Sequence, residues 1–134
     1  MVVKKFNFHK RGNSSGELVF LESCIDIPFA IKRVYYIYGV EQGCRRGFHA
    51  HKTLQQAIIC IHGSCRIMLD DGQSKADVAL NDPSEGLFVG ASIWREMYDF
   101  SADAVLLVLA SEYYDEQDYI RDYSDFVRYI GGGK

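Results

Sequence analysis

Along most of this chain, apolar and polar positions fall into short runs, each closed by Gly, Asn, Asp or Pro. Residues 17–22 (ELVFLE) follow the turn-like segment GNSSG, and residues 31–38 (IKRVYYIY) are rich in β-branched and aromatic side chains. Residues 54–61 (LQQAIICI) and 65–69 (CRIML) flank His62-Gly63-Ser64, which reads as a hairpin arm, and Asp70-Asp71-Gly72 closes a second turn. Further runs follow at 76–80, 87–89, 93–99 and 104–110. Short runs at this spacing predict an all-β sandwich or barrel. Nothing between them is long or periodic enough for crossover helices, which argues against an α/β fold. The tail differs: Tyr119, Ile120, Tyr123, Phe126, Val127 and Ile130 recur at three- and four-residue spacing, predicting a short amphipathic helix, or helical turns, within 113–130.

Composition narrows the class. At 134 residues, 48% hydrophobic and 25% charged, the sequence predicts one globular domain over 1–134, with residues 131–134 (GGGK) as a disordered tail. A chain of this size buries enough surface to need no disulfide or metal staple. The net charge of −3 removes the basic footprint of a nucleic-acid binder. No apolar run approaches the roughly 20 residues of a membrane span, and no apolar stretch follows Lys4 and Lys5 to make an export signal. Cys24, Cys44, Cys60 and Cys65 form no CxxC pair, so free thiols in a reducing cytoplasm are the expectation.

The informative segment runs from Gly43 to Gly63. His49 and His51 stand two apart, so on a strand both imidazoles enter one space. The pattern Gly-x5-His-x-His-x4-Gln-x6-Gly resembles the first cupin motif, in which an acidic residue stands at the position of Gln56. In the second-motif region, 86–97, Arg95 falls where a ligating His would be expected. A guanidinium stays protonated and cannot ligate a cation, so no metal and no other cofactor is expected. Two imidazoles and a fixed cation instead suit proton transfer next to a carbonyl. Arg33, Arg45 and Arg46 add local positive charge in an acidic chain, which points to an anionic ligand such as a diphosphate. Tyr35, Phe48, Trp94 and Met97 offer walls for a sugar or base, or equally well a barrel core.

Residues 27–37 (IPFAIKRVYYI), 46–52 (RGFHAHK) and 109–121 (LASEYYDEQDYIR) resemble the WxcM-like cupins, and among them the sugar-nucleotide 3,4-ketoisomerases. The resemblance spans nearly the whole chain. It implies a cupin jelly-roll barrel with a short C-terminal helical segment. It also implies a homodimer, and an activity on a dTDP-linked 4-keto-6-deoxyhexose that leads to 3-amino sugars of surface glycans. Carried over by position, His49 and His51 are the proton-handling pair, with Arg95 beside them. Arg33, Tyr35, Arg46, Trp94 and Met97 are expected to bind the substrate. Arg95, where many relatives have His, and Ser15, where some have Arg, bear on the configuration at C4. The resemblance favours the gluco over the galacto product. The rival readings are a sugar-nucleotide 3,5-epimerase, a non-catalytic sugar-binding cupin and, more remotely, a metal-dependent oxygenase.

Overall fold

The computed structural model describes residues 1–133. Its strands are β1 (Lys4–Asn7), β2 (Arg33–Tyr38), β3 (Arg46–His51), β4 (Gln56–His62), β5 (Cys65–Asp70), β6 (Lys75–Leu80), β7 (Glu85–Val89), β8 (Trp94–Tyr98), β9 (Val105–Ala110) and β10 (Tyr119–Ile120). They form two five-stranded antiparallel sheets, ordered β1-β7-β4-β9-β2 and β10-β3-β8-β5-β6. One short helix, α1 (Tyr123–Arg128), follows. This is the all-β sandwich that the run pattern predicts, of the cupin type that the resemblance implies.

The core lies between the sheets. Every second residue points inward: Ile58 and Cys60 from β4, Ile67 and Leu69 from β5, Leu87 and Val89 from β7, Leu106 and Val108 from β9. Strand β4 is buried on both faces because the segment before β2 lays Ile27 and Phe29 against Ala57, Ile59 and Leu109. That double cover explains why β4 and β9 read as continuous apolar runs rather than alternating ones. On the outer face of the second sheet, α1 presses Phe126 onto Ala50, Trp94 and Ile120. The Asp122 carboxylate caps the helix, accepting from the Asp125 amide at 3.0 Å.

Three elements differ from expectation. The runs 54–61 and 65–69 do not make a hairpin: β4 and β5 belong to opposite sheets, joined by a corner at Gly63 with φ 71°. A Cβ at Gly63 would meet Ser101 Oγ at 2.3 Å, and this tight corner, not sheet pairing, is what His62-Gly63-Ser64 encodes. Residues 17–22 form no strand, since neither sheet pairs them, while Leu18 and Phe20 stay exposed. In its place the charged KKFN segment forms edge strand β1, paired with β7. The tail is interrupted: Tyr119 and Ile120 leave the helical pattern to pair with His51 and Ala50. Tyr129–Gly133 then continue in a wide helical turn, and Lys134, the end of the expected tail, lies outside the described residues.

Candidate active site

The site opens between the two sheets, where β2, an edge of the first, faces β3 of the second. Strand alternation sends Arg33, Tyr35 and Ile37 inward from β2 and leaves Val34, Tyr36 and Tyr38 outside. From the other sheet come Arg46 and His49 of β3 and Met97 of β8. Together with Gly47, Tyr119 and Arg121 these residues line a cavity of about 460 Å³.

Arg46 and His49 are three residues apart and would point to opposite faces of a regular strand. A bulge resolves the conflict. In the β3–β8 ladder Arg46 pairs with Met97, Gly47 with Glu96 and His49 with Arg95, so Phe48 is the extra residue. The bulge needs positive φ at both Gly47 (94°) and Phe48 (54°). It turns Arg46 to the cavity side and pushes Phe48 outward, 44% exposed. A Cβ at Gly47 would lie 2.9 Å from the Arg95 carbonyl oxygen, so glycine is required twice over.

Behind the cavity wall the polar groups are buried and ordered. The His49 and His51 rings meet edge to face, centroids 5.0 Å apart, and the Tyr119 ring covers both at 5.1 and 4.3 Å. His49 Nδ1 is 3.0 Å from the Gly47 carbonyl oxygen, which can only accept, so Nδ1 carries the proton. His51 Nδ1 lies 3.1 Å from Asp118 Oδ2. Burial, reinforced by the Arg95 charge, lowers the pKa of His49 to about 4. The same causes, with His49 added, take His51 to about 3, against the opposing pull of Asp118. Both histidines are therefore neutral at pH 7.

Arg95 is fully buried beneath this pair. It donates from Nη1 to Gln56 Oε1, and from Nε and Nη2 to the Ile93 carbonyl at 3.3 and 3.0 Å. All of these partners are neutral. Burial lowers its pKa to about 10, which still leaves it charged at pH 7. Gln56, at the cupin acidic position, passes the interaction on by donating Nε2–H to the Tyr35 hydroxyl at 3.0 Å. Among the described residues, Arg33 Nε and Nη2 and His51 Nε2 are buried without a hydrogen-bond partner. The Arg33 guanidinium sits over the rings of Tyr35 and Tyr114 at 5.4 and 5.5 Å.

These residues do not fit a metal. The Gln56 oxygen is occupied by Arg95, whose buried guanidinium would repel a cation.

Most of the sequence-predicted residues converge: Arg33, Tyr35, Arg46, His49 and Met97 line the cavity, with His51 and Arg95 beneath it. Trp94 does not join them. Arg95 and Met97 face the interior, so Trp94 faces the other way, packed between Tyr123 and Phe126 and donating Nε1–H to Glu96 at 2.8 Å. The expected substrate wall is thus the seat of α1. Arg45 is also turned away, ion-paired to Glu96 at 2.7 Å. Residue reasoning missed Asp118, Tyr119 and Arg121, because the tail reads as helix and its return to β3 has no local signal, and with them Thr53, which matters only as the partner of Asp118.

Residues 1–131 match the family described as FdtA: WxcM-like, C-terminal. The chain is 53% identical over 127 residues to a TDP-4-oxo-6-deoxy-alpha-D-glucose-3,4-oxoisomerase from Aneurinibacillus thermoaerophilus, covering 95% of this chain and 91% of that protein. A variant of the 3,4-ketoisomerase QdtA from Thermoanaerobacterium thermosaccharolyticum, solved with TDP-4-keto-6-deoxyglucose, superposes with a TM-score of 0.93 at 48% identity, over 96% of this chain and 93% of that one. The WlaRB TDP-quinovose 3,4-ketoisomerase from Campylobacter jejuni gives a TM-score of 0.90 at 46% identity, over 94% and 97% of the two chains.

Proposed function

The chain belongs to the WxcM-like FdtA family, and on that premise we propose that it is a sugar-nucleotide 3,4-ketoisomerase that moves the ketone of a dTDP-linked 4-keto-6-deoxyglucose from C4 to C3. One observation carries the reading: two neutral histidines stand over a buried arginine whose hydrogen-bond partners are all neutral. Such a set has a proton acceptor ready at pH 7 and a fixed positive charge to which no carboxylate is hydrogen-bonded.

The C4 carbonyl makes the C3 hydrogen acidic. His49, which lines the cavity, takes that proton, and the electron pair of the C–H bond becomes an enediolate. Arg95 stabilises this charge through its field from below, because its own N–H groups are held by Gln56 and Ile93. Water delivers a proton to C4 from the opposite ring face and takes up the proton held by His49, while the C3 hydroxyl proton passes to the C4 oxygen through His51. Arg33, with two buried N–H groups unpartnered, is assigned to the diphosphate, joined by Arg46. Tyr35, its hydroxyl oxygen already accepting from Gln56, keeps its own proton to donate to the sugar. Met97 provides an apolar wall.

The product is assigned the gluco configuration at C4. Arg95 holds its proton at pH 7 and cannot deliver it to C4, and His51 is engaged with the sugar oxygens, so opposite-face delivery falls to water. The 3-keto product suits an aminotransferase, a step toward 3-amino-3,6-dideoxyhexoses of surface glycans, made in the cytoplasm by a homodimer. No helix among the described residues is long and apolar enough to cross a membrane.

The test is incubation with dTDP-4-keto-6-deoxyglucose in D₂O, read by NMR. Carbonyl migration with an equatorial C4 hydroxyl after reductive trapping is the expected result. Deuterium at C3 or C5 with no migration would make the protein an epimerase, and an axial C4 hydroxyl would refute the gluco assignment alone.

A further inference from the structure

Asp118 is the hub of a hydrogen-bond cluster. Its Oδ1 accepts from the Thr53 amide at 2.9 Å and the Thr53 hydroxyl at 2.8 Å. Its Oδ2 accepts from the Leu54 amide at 3.3 Å and faces His51 Nδ1 at 3.1 Å. Its own carbonyl accepts from the Lys52 amide at 2.9 Å. Four contacts thus tie one residue of the C-terminal segment to the loop that follows the histidine strand, and a fifth ties it to His51 at the strand's end. His51 has no exposed surface, and its other ring nitrogen, Nε2, is buried without a partner among the described residues.

From this geometry we infer that Asp118 is the positioning residue of the reaction: it holds the Nδ1 proton of His51 and thereby fixes Nε2 as the bare acceptor for the hydroxyl proton of the enediol. The inference rests on the ketoisomerase reading. A carboxylate can only accept, so the His51–Asp118 bond requires the proton on Nδ1. An acceptor buried with no donor is costly unless a ligand supplies one. In the step assigned here the substrate O–H bond breaks and an N–H bond forms at Nε2. His51 becomes an imidazolium facing the Asp118 carboxylate, which keeps its charge and takes no proton. The proton then returns to the other sugar oxygen. The Tyr119 ring lies over His51, centroids 4.3 Å apart. Tyr119 directly follows Asp118, so one segment both orients the imidazole and covers it.

The test combines the ring ¹⁵N spectrum of His51 with the kinetics of D118N, in which the amide can donate to Nδ1 and reverse the tautomer. The wild-type ring is expected to be protonated at Nδ1 alone, and D118N to shift the proton to Nε2. D118N should lower kcat by roughly 10²–10⁴ while KM changes less than about threefold, the loss expected when a histidine is held in the wrong tautomer. D118E should restore part of kcat. A wild-type proton on Nε2, or a D118N kcat within about threefold of wild type, overturns the inference, as does a loss seen only in KM. If D118N does not fold, T53V takes its place. It is expected to cost roughly tenfold in kcat with KM unchanged, within the range of one lost orienting hydrogen bond, and an unchanged kcat overturns the inference. The wild-type ring spectrum needs no substrate, so failure of the ketoisomerase reading would show separately, as absence of turnover.

Discussion

His49 and His51 are useful because they are buried. An exposed imidazole titrates near pH 6.5 and would be partly protonated in a mildly acidic cell. Here burial and the Arg95 charge lower the pair to about 4 and about 3, so both remain acceptors through the physiological range. The rate profile should therefore lack an acidic limb at pH 6.5. Activity is present above the lowered value and fades only as pH falls toward about 4. The linkage to stability has the same sign. Between pH 6.5 and about 4 the unfolded chain binds more protons than the native one, so stability falls as the pH falls through that window. An acidic limb in kcat/KM near pH 6.5 would refute the assignment. Replacing either histidine by Asn should lower turnover by roughly 10²–10⁴, with the fold kept. If both variants turn over within about tenfold of wild type, neither histidine transfers the proton. H49N should also lose part of the drop in melting temperature between pH 7 and pH 5.

At the scale of elements, the bulge in β3 decides what the site contains. A regular strand from Arg46 to His51 would present either Arg46 or His49 to the cavity, never both. Gly47 and Phe48, at φ 94° and 54°, absorb the extra residue and bring the two side chains to one face. Gly47→Ala should then cost about 1–3 kcal/mol, the usual range for a strained backbone position. It should impair turnover beyond what the stability loss explains, because the bulge also sets where His49 stands. Thermal melts and kinetics of G47A check this, and a variant with wild-type kcat and KM would show that the bulge is incidental. The C-terminal segment has a similar double role. Its α1 end buries Phe126 against Trp94, while its start carries Asp118 and Tyr119 to the histidines.

At the scale of the whole molecule, the outer face and edge of β2 stand open. Strand β2 closes one edge of its sheet and presents Val34, Tyr36 and Tyr38 outward, 56%, 63% and 70% exposed. An open, aromatic edge strand of this kind is a template for pairing with another chain. The same strand supplies Arg33 and Tyr35 to the cavity, so pairing there would stiffen one wall of the site. Light scattering should give the mass of a dimer, and Tyr38→Lys, on the same exposed face but outside the cavity, should shift the mass toward a monomer and weaken turnover. A monomeric wild-type protein would refute the homodimer.

What the sequence determined by itself was whatever depends on neighbours along the chain. The period of two along the short runs sets an all-β sandwich. The His-x-His spacing puts both imidazoles on one face, and the glycine-framed motif marks the cupin. Tertiary structure decided what depends on residues far apart. His62-Gly63-Ser64 looks the same whether it joins two paired strands or turns a corner between sheets, and only the packing of β4 and β5 into different layers distinguishes them. Trp94 and Met97 are equally apolar, but strand parity and the docking of α1 send one to the core under the helix and the other to the cavity. Asp118 stands 67 residues from His51, and no local pattern reports a contact made by the chain folding back on itself. The burial that neutralises the histidines is likewise a property of the closed sandwich, where removal from water and the Arg95 charge together lower an imidazole that would titrate ordinarily on an open strand.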